Sequence, residues 1–388
     1  MIRLLDLGEV SYLRSQALYH GLAQAMSAET PDTLVLCWPA TAYFCVGYHQ
    51  RPEQELDLGF CRQHGYPVVH RKIGGGTVFL DRHQLFYQVI VRASRAPIRV
   101  AAIYRRLLAA PVAALQALGL PARLEGTNEI EVRGKRIAGT GGGQIEEAIV
   151  VTGNLLLSFD CDAMARAWRV PSEAFRALAA DGLRQYVTTL RQELSEIPSM
   201  AAVKALLVEQ YAETLGRPLL PGSLTPLERK AIARAEVKLA NPRSAFDAVG
   251  PSDRGLKIAR GTYVRERQLL TPAGPGRLTV RFRDGLIDDL DLTGPSPSSV
   301  ALAKALKGVE AREEVLCEHL RGIRQAGNGL GESAHWLVQA LLAMDPETLG
   351  ARHPGGTADV AKQILAIETA VPDSVAFVTV ARQESRPS

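Results

Sequence analysis

The chain has 388 residues, 46% hydrophobic and 22% charged, with a formal net charge of +4. That is enough apolar material for two or three packed domains, which excludes a disordered chain; the charge suits an acidic substrate or partner and is too small for a nucleic-acid binder. Five scattered cysteines (Cys37, Cys45, Cys61, Cys161, Cys317) form no CxxC pair, which speaks against a disulfide framework and a zinc site.

The N-terminus lacks a basic segment followed by an apolar one, and no run approaches the roughly 20 apolar residues of a membrane span. A cytoplasmic protein is expected. Apolar spacing predicts an amphipathic helix from Ser11 to about Met26. Short β-rich runs follow at 33–38, 42–48, 67–70 and 85–91, interrupted by a helical piece in "EQELDLGFCRQHG". A long helix is expected over 100–119, with Pro111 kinking or restarting it. Strands return as "NEIEVRGKRIAG" (128–139), with Arg133-Gly134 as a hairpin turn, and as "AIVVTGNLLLSFD" (148–160). A helix over 199–216 closes at Gly216.

The stretch "RPLLPGSLTP" (217–226) has three prolines and a glycine and reads as a linker. A helix at about 225–239, three strands and the helix "SSVALAKALKGV" complete a smaller unit ending near Met344. The expected division is a catalytic domain over 1–216, a linker over 217–226, an accessory α+β domain over 227–345, and a C-terminal helical segment and tail over 346–388. Short, hairpin-linked strands in mixed order with helices predict an α+β fold with a mixed, mostly antiparallel sheet flanked by helices.

Two glycine-rich segments could carry chemistry. "HRKIGGGTVFLD" (70–81) sets Arg71 and Lys72 before Gly74, Gly75 and Gly76; "RGKRIAGTGGGQ" (133–144) sets Lys135 and Arg136 before Gly139, Thr140 and further glycines. Unshielded backbone N–H groups next to cations suit a bound anion, whereas a tight turn before a strand is the plain alternative. Neither segment is a Walker A loop or a GxGxxG fingerprint. The histidines lack metal-ligand spacing.

These motifs resemble the lipoate-protein ligases, within the wider family of biotin protein ligases and octanoyltransferases. The match rests on "HRKIGGGTVFLD", on "NEIEVRGKRIAG", on the glycine within "VTGNLLLSFD", on "SYLRSQALYHGLAQAM" and "FCVGYHQ", and on the accessory-type "DGLIDDLDLTGP". The resemblance implies a biotin/lipoate ligase-like catalytic domain with a small accessory domain. It implies a reaction in which ATP, with Mg²⁺ on its phosphates, activates lipoate or octanoate as an acyl-adenylate. A lysine of a lipoyl-carrier protein then expels AMP. The carrier would be a 2-oxoacid dehydrogenase subunit, the glycine-cleavage carrier or a lipoate-binding protein of sulfur oxidation. A monomer is expected, with no nucleic-acid or membrane partner.

On the same resemblance, Arg71, Gly74, Gly75, Gly76, Thr77, Asn128, Gly139, Thr140 and Gly153 are the substrate- and nucleotide-binding candidates. The sequence departs from the family where His70, Ile73 and Thr152 stand. Above all, Arg136 occupies the position of the family's catalytic lysine, fixed by Ile137-Ala138-Gly139, with Lys135 one step before. In a regular strand the two cations point to opposite faces. Arg136 is the preferred catalytic residue, Lys135 the alternative if a bulge follows the Arg133-Gly134 turn, and a solvated hairpin tip for both is the third reading. Asp81 reads as a turn residue or a donor-orienting one. No cysteine lies in "PARLEGTNEI" (121–130), where acyl-transferring relatives would carry a nucleophile. An octanoyl-carrier-dependent acyltransferase and a non-catalytic lipoate- or adenylate-binding relative remain as rivals.

Overall fold

The computed structural model describes residues 1–240, 255–271, 274–294, 299–325, 334–344 and 379–380. Apart from Thr379 and Val380, the segment expected over 346–388 lies outside the described residues.

The chain opens with β1 (Ile2–Val10) and helix α1 (Tyr12–Gln24). Ser11 caps α1 by accepting the Arg14 N–H at 3.2 Å. Next come β2 (Thr33–Pro39), β3 (Tyr43–Val46), short helices α2 (Pro52–Glu55) and α3 (Leu58–Gln63), then β4 (Val68–His70), β5 (Val78–Leu80) and β6 (Gln84–Arg92). The long helix expected over 100–119 is two, α4 (Val100–Leu107) and α5 (Ala109–Ala117). The break leaves Pro111 in the first turn of α5, where its missing N–H costs no hydrogen bond. Strands β7 (Ala122–Glu125), β8 (Glu129–Val132), β9 (Lys135–Ile145) and β10 (Ala148–Leu156) form a meander. Helices α6 (Cys161–Ala167), α7 (Glu173–Tyr186), α8 (Leu190–Glu193) and α9 (Met200–Leu215) follow. Gly216 ends α9 in the left-handed conformation, φ 60°.

The remaining elements are β11 (Leu219–Pro221), α10 (Pro226–Ala240), β12 (Leu256–Ala259), β13 (Thr262–Thr271), β14 (Gly274–Arg283), β15 (Leu286–Thr293), α11 (Ser299–Leu306), α12 (Glu313–Gln325), α13 (Ala334–Leu342) and β16 (Thr379–Val380).

The main sheet runs β11-β1-β2-β6-β10-β9-β8-β7, parallel at β11-β1-β2 and antiparallel from β2 onward. Strand periodicity gives it two buried faces. Leu85, Tyr87, Val89 and Val91 of β6 enter a core with Ile103, Tyr104 and Leu107 of α4 and Val203, Leu207 and Tyr211 of α9. Phe86 and Ile90 enter a second core with Leu18 and Leu22 of α1 and Ile232, Ala235 and Leu239 of α10. A small sheet, β4-β3-β5, contributes Tyr43, Cys45, Val69 and Leu80 to that second core. The α+β class with a mixed sheet is thus as expected.

The domain boundaries differ from the expected ones. Among the described residues, one compact unit takes in 1–167, 187–240 and 379–380, the other 168–186, 255–271, 274–294, 299–325 and 334–344. The proline-rich stretch does not part them: Leu219–Pro221 adds a parallel strand beside β1, and α10 packs on α1. A side chain at Gly21 would stand 2.5 Å from the Ile232 Cα, so the two helix backbones nearly touch. Glu228 of α10 also pairs with Arg3 at 2.5 Å, both side chains largely buried.

In the second unit, α7 covers one face of the antiparallel sheet β12-β13-β14-β15, while α11, α12 and α13 stand over a core containing Leu278, Val280, Phe282 and Leu290. The guanidinium of Arg281, 1% exposed, donates to the Leu178 carbonyl (2.9 Å), Asp181 (2.8 Å) and Gln185 (3.0 Å) of α7 and to Asp288 (2.5 Å). A buried charge is tolerated when its donors are filled this way.

Candidate active site

A cleft of about 470 Å³, open mouth included, lies in the first unit between the main sheet, the small sheet and α1. Ile73, Val78, Leu80 and Phe86 supply an apolar wall; Gln16, Cys45 and Arg71 are its charged, amide and thiol members. Gly139, Thr140, Gly141 and residues 152–154 line the remaining side.

Sequence order explains how the two glycine segments meet. Gly74 to Gly76 precede β5, and the loop rests on Gly47, just past β3: a Cβ on Gly47 would lie 1.7 Å from the Gly75 carbonyl oxygen. Gly75 has φ 101°, open to glycine and strained for other residues. Gly76 faces open space. Across the cleft, a Cβ on Gly141 would stand 3.6 Å from the Gly74 carbonyl oxygen, so the bare backbones face each other.

Arg71 ties the loop down. Its guanidinium, buried, donates to the carbonyls of Cys45 (3.1 Å), Gly74 (3.0 Å) and Gly76 (2.8 Å). Among the described residues no carboxylate pairs with it, so a positive charge is held at the cleft without its counter-ion. An anionic ligand would supply one.

The hairpin before Gly139 decides between the two cations. Arg133 (φ 52°) and Gly134 (φ 74°) make the expected two-residue turn, with positive φ at both central positions. Beyond it, Val132 pairs with Lys135, Glu131 with Arg136, and Ile130 with Ala138, so Ile137 is an extra residue. Counting back from Gly139 by strict alternation would put Ile137 and Lys135 on the cleft face. The bulge instead drops Ile137 and Ala138 together into the α4–α9 core and restores Arg136 to the cleft side. Lys135, opposite the core residue Val132, falls on the far face. There is a bulge, two residues later than the one that would favour Lys135. Neither cation lines the cleft itself. Arg136 is half-buried and pairs with Glu129, and its carbonyl accepts the Thr188 N–H at 2.8 Å.

The other candidates divide. Thr77 donates to the Gln50 side chain (3.0 Å), which also holds the Gly47 N–H, so it braces the loop. The Thr140 hydroxyl donates to the Asn128 carbonyl, tying the buried Asn128 to β9. Asn128 does not line the cleft. Gly153 does so only through its backbone: the place of its missing Cβ is filled by Tyr87, whose hydroxyl would lie 2.2 Å from that atom. Asp81 accepts the His83 N–H at 2.9 Å, a turn role.

Sequence reading missed Gln16, Phe86 and Asn154, and gave Cys45 no place at the cleft. Asn154 accepts the Gly139 N–H at 3.0 Å and donates to Gln84, fixing the β9–β10 register beside the cleft. The buried face of α1 carries three polar residues, Ser15, Gln16 and His20, and nothing in the sequence pattern singles out Gln16 among them. Burial pushes the Cys45 thiol up, with the nearby Arg71 acting in the opposite sense. His20, buried beside the loop, is pushed down to about 3 by burial and by the charges of Lys72 and Arg71, and its Nε2 accepts the Lys72 N–H at 3.2 Å. Among the described residues no group of three or more His, Cys, Asp or Glu could hold a metal ion, and no helix is long and apolar enough to cross a membrane.

A mixed sheet with helices on both faces carries an apolar cleft that ends on a cation and bare glycine backbone, a chemistry suited to an acidic molecule with an apolar tail. The family model for the lipoyl protein ligase A/B catalytic domain matches residues 11–212, and the chain belongs to that family. Octanoyltransferase LipM of Symbiobacterium thermophilum is 29% identical over 253 residues, 59% of this chain and 91% of the relative. Lipoate-protein ligase A subunit 1 of Thermoplasma acidophilum is 27% identical over 180 residues, 44% and 67% of the respective chains. Among solved structures, the bipartite lipoate protein ligase of Thermoplasma acidophilum, determined with its E2 lipoyl domain, superposes with a TM-score of 0.56 at 24% identity, covering 61% of this chain and 92% of that one. A lipoate-protein ligase A bound with ATP gives 0.52 at 23%, covering 61% and 94%. These likenesses show the fold.

Proposed function

We propose that this chain is an ATP-dependent lipoate-protein ligase that joins lipoate or octanoate to a lysine of a lipoyl-carrier protein. The observation that carries the reading is Arg71, a buried guanidinium without a carboxylate partner, set between two facing glycine segments at an apolar cleft. The tail occupies the Ile73–Phe86 wall and the carboxylate lies toward Arg71. Glycine N–H groups and the Arg71 and Arg136 guanidiniums stabilise charge as the carboxylate oxygen attacks the α-phosphate and pyrophosphate leaves. Arg136 enters on the cleft side of β9, sharing its fork between Glu129 and a phosphate oxygen. Mg²⁺ arrives on the ATP phosphates as part of that substrate. The lysine amine of the carrier then attacks the acyl carbon and AMP departs.

A ligase is preferred over a thioester-forming transferase because residues 121–130 lack a cysteine. Among the described residues Cys45 is the one cysteine on the cleft, and burial keeps it a neutral thiol. The second reading, an octanoyltransferase, is favoured by the LipM relative. The test is the intact mass of apo-carrier domains after incubation with the protein, ATP, Mg²⁺ and either acid. An ATP-dependent gain of one acyl group and release of AMP are expected. A gain seen only from an octanoyl-thioester donor, without ATP, would establish the second reading instead.

A further inference from the structure

Behind the cleft, two buried side-chain amides are aligned in a single sense. Gln84, 0% exposed, points from β6 to the same side as Phe86, and Asn154 of β10, diagonal to it, lines the cleft. The Gly139 N–H donates to Asn154 Oδ1 at 3.0 Å, Asn154 Nδ2 donates to Gln84 Oε1, and Gln84 Nε2 donates to the Phe79 carbonyl at 3.1 Å. A backbone donor closes one end of this chain and a backbone acceptor the other. Neither amide can turn over without setting like groups face to face. Bonds aligned in this way also polarise one another. A Cβ on Gly139 would collide with Asn154 Oδ1, so the chain needs glycine at its start.

Its two ends lie in different sheets. Phe79 belongs to β5 of the small sheet and Gly139 to β9 of the main sheet, and among the described residues no strand ladder joins the two. Val78 and Leu80 of β5 line the apolar wall of the cleft and Gly139 its remaining side. We infer that Gln84 and Asn154 are positioning residues: their one-way amide chain locks the small sheet to the main sheet and sets the width of the cleft between β5 and β9. The inference rests on the reading of the cleft as the acyl site. Breaking one link leaves buried amide groups unpaired and frees the tail wall to move away from the glycine backbone.

The test uses Gln84→Glu and Asn154→Asp. A protonated carboxyl accepts through one oxygen and donates through the other, as the amide does, whereas a carboxylate only accepts. Each variant therefore rebuilds the chain when protonated and breaks it when ionised. Burial raises the pKa of either new carboxyl. At position 84 the charges of Asp81, which the Gln84 side chain meets, and of Asp160 add to that rise, and His83 opposes it. At position 154 Arg71, on the same cleft, opposes it. Octanoate binding to the full chain, without ATP, is measured by calorimetry from about pH 5.5 to about pH 8.5. Relative to the parent at each pH, both variants should bind within about twofold at the acid end and about tenfold more weakly at the alkaline end. Gln84→Met, which cannot rebuild the chain, should be about tenfold weaker throughout. Profiles parallel to the parent's would overturn the inference and leave the acyl-site reading standing, because packing alone would then account for both amides. A parent that binds no octanoate would overturn both. If neither carboxyl variant folds, hydrogen exchange at the Gly139 amide of the parent decides. Protection equal to that of the buried β9 amides supports the chain, and exchange as fast as at the exposed Glu146–Glu147 turn overturns it.

Discussion

Arg136 reaches the cleft side of β9 because of one extra residue, Ile137, and its charge is already engaged by Glu129. Arg136→Ala should therefore lower both adenylate formation and acyl transfer by about 10²-fold, a loss of about 3 kcal/mol in transition-state stabilisation. Lys135→Ala, on the far face, should stay within about twofold of the parent, as a partly exposed cation away from the cleft contributes little. ATP–pyrophosphate exchange and transfer from supplied acyl-adenylate measure the two steps; the reverse ranking would return the catalytic role to Lys135. His20 sets a pH dependence of a different kind. Its folded-state pKa is depressed to about 3, so between pH 6.5 and 3 the unfolded chain binds a proton that the folded chain does not. Stability thus falls as pH drops through that window, by about 1.4 kcal/mol per unit at most. Urea midpoints for the parent and His20→Gln should diverge at pH 7 and converge, or cross, toward pH 4.5; parallel curves would remove His20 as the cause. The glycine segments and Arg71 were legible in the sequence because bare backbone beside cations has few other uses. Which cation faces inward was not, since a bulge leaves no mark on an alternating pattern.

Between elements, the contact of α1 with α10 is governed by Gly21. Adding one methyl there meets backbone, not a movable side chain, so α10 must lift. Gly21→Ala should cost about 1–3 kcal/mol, read as a fall in the urea midpoint, with the far-UV spectrum of the folded protein unchanged. A neutral result would mean that α10 is held elsewhere, for instance through Arg3 and Glu228. Some helix ends were well marked in the sequence: Ser11 starts α1, Gly216 stops α9, and Pro111 restarts the helix after Leu108, whereas α6, α7 and α8 were not read from it. The role of 217–226 was not. Three prolines and a glycine describe a stretch that cannot lie inside a helix, but β11 is an edge strand, where Pro221 is tolerated. Composition alone cannot tell a linker from such an edge.

At the level of the whole molecule, the chain passes from one unit to the other at 167/168, returns at 186/187, and leaves again beyond α10. A truncation after Pro221 should consequently fail to give a stable catalytic unit. It strips Ile232, Ala235 and Leu239 from the α1 core and Glu228 from Arg3, and it leaves Phe175 and Leu178 of α7 without the sheet that buries them. Aggregation or a non-cooperative urea transition is the expected result; a soluble fragment with a sharp transition would show that α10 is dispensable. We propose that the second unit acts as the accessory domain, so its loss should impair activation more than transfer. The same threading has a consequence during synthesis. α7 leaves the ribosome about 70 residues ahead of β12, on the order of ten seconds at ordinary elongation rates. For that interval its apolar side has no sheet of its own unit to cover it. Pausing upstream of codon 256 should lengthen this exposure and raise the fraction of newborn chains captured by chaperones, whereas a pause after codon 294, once β12 to β15 are made, should not.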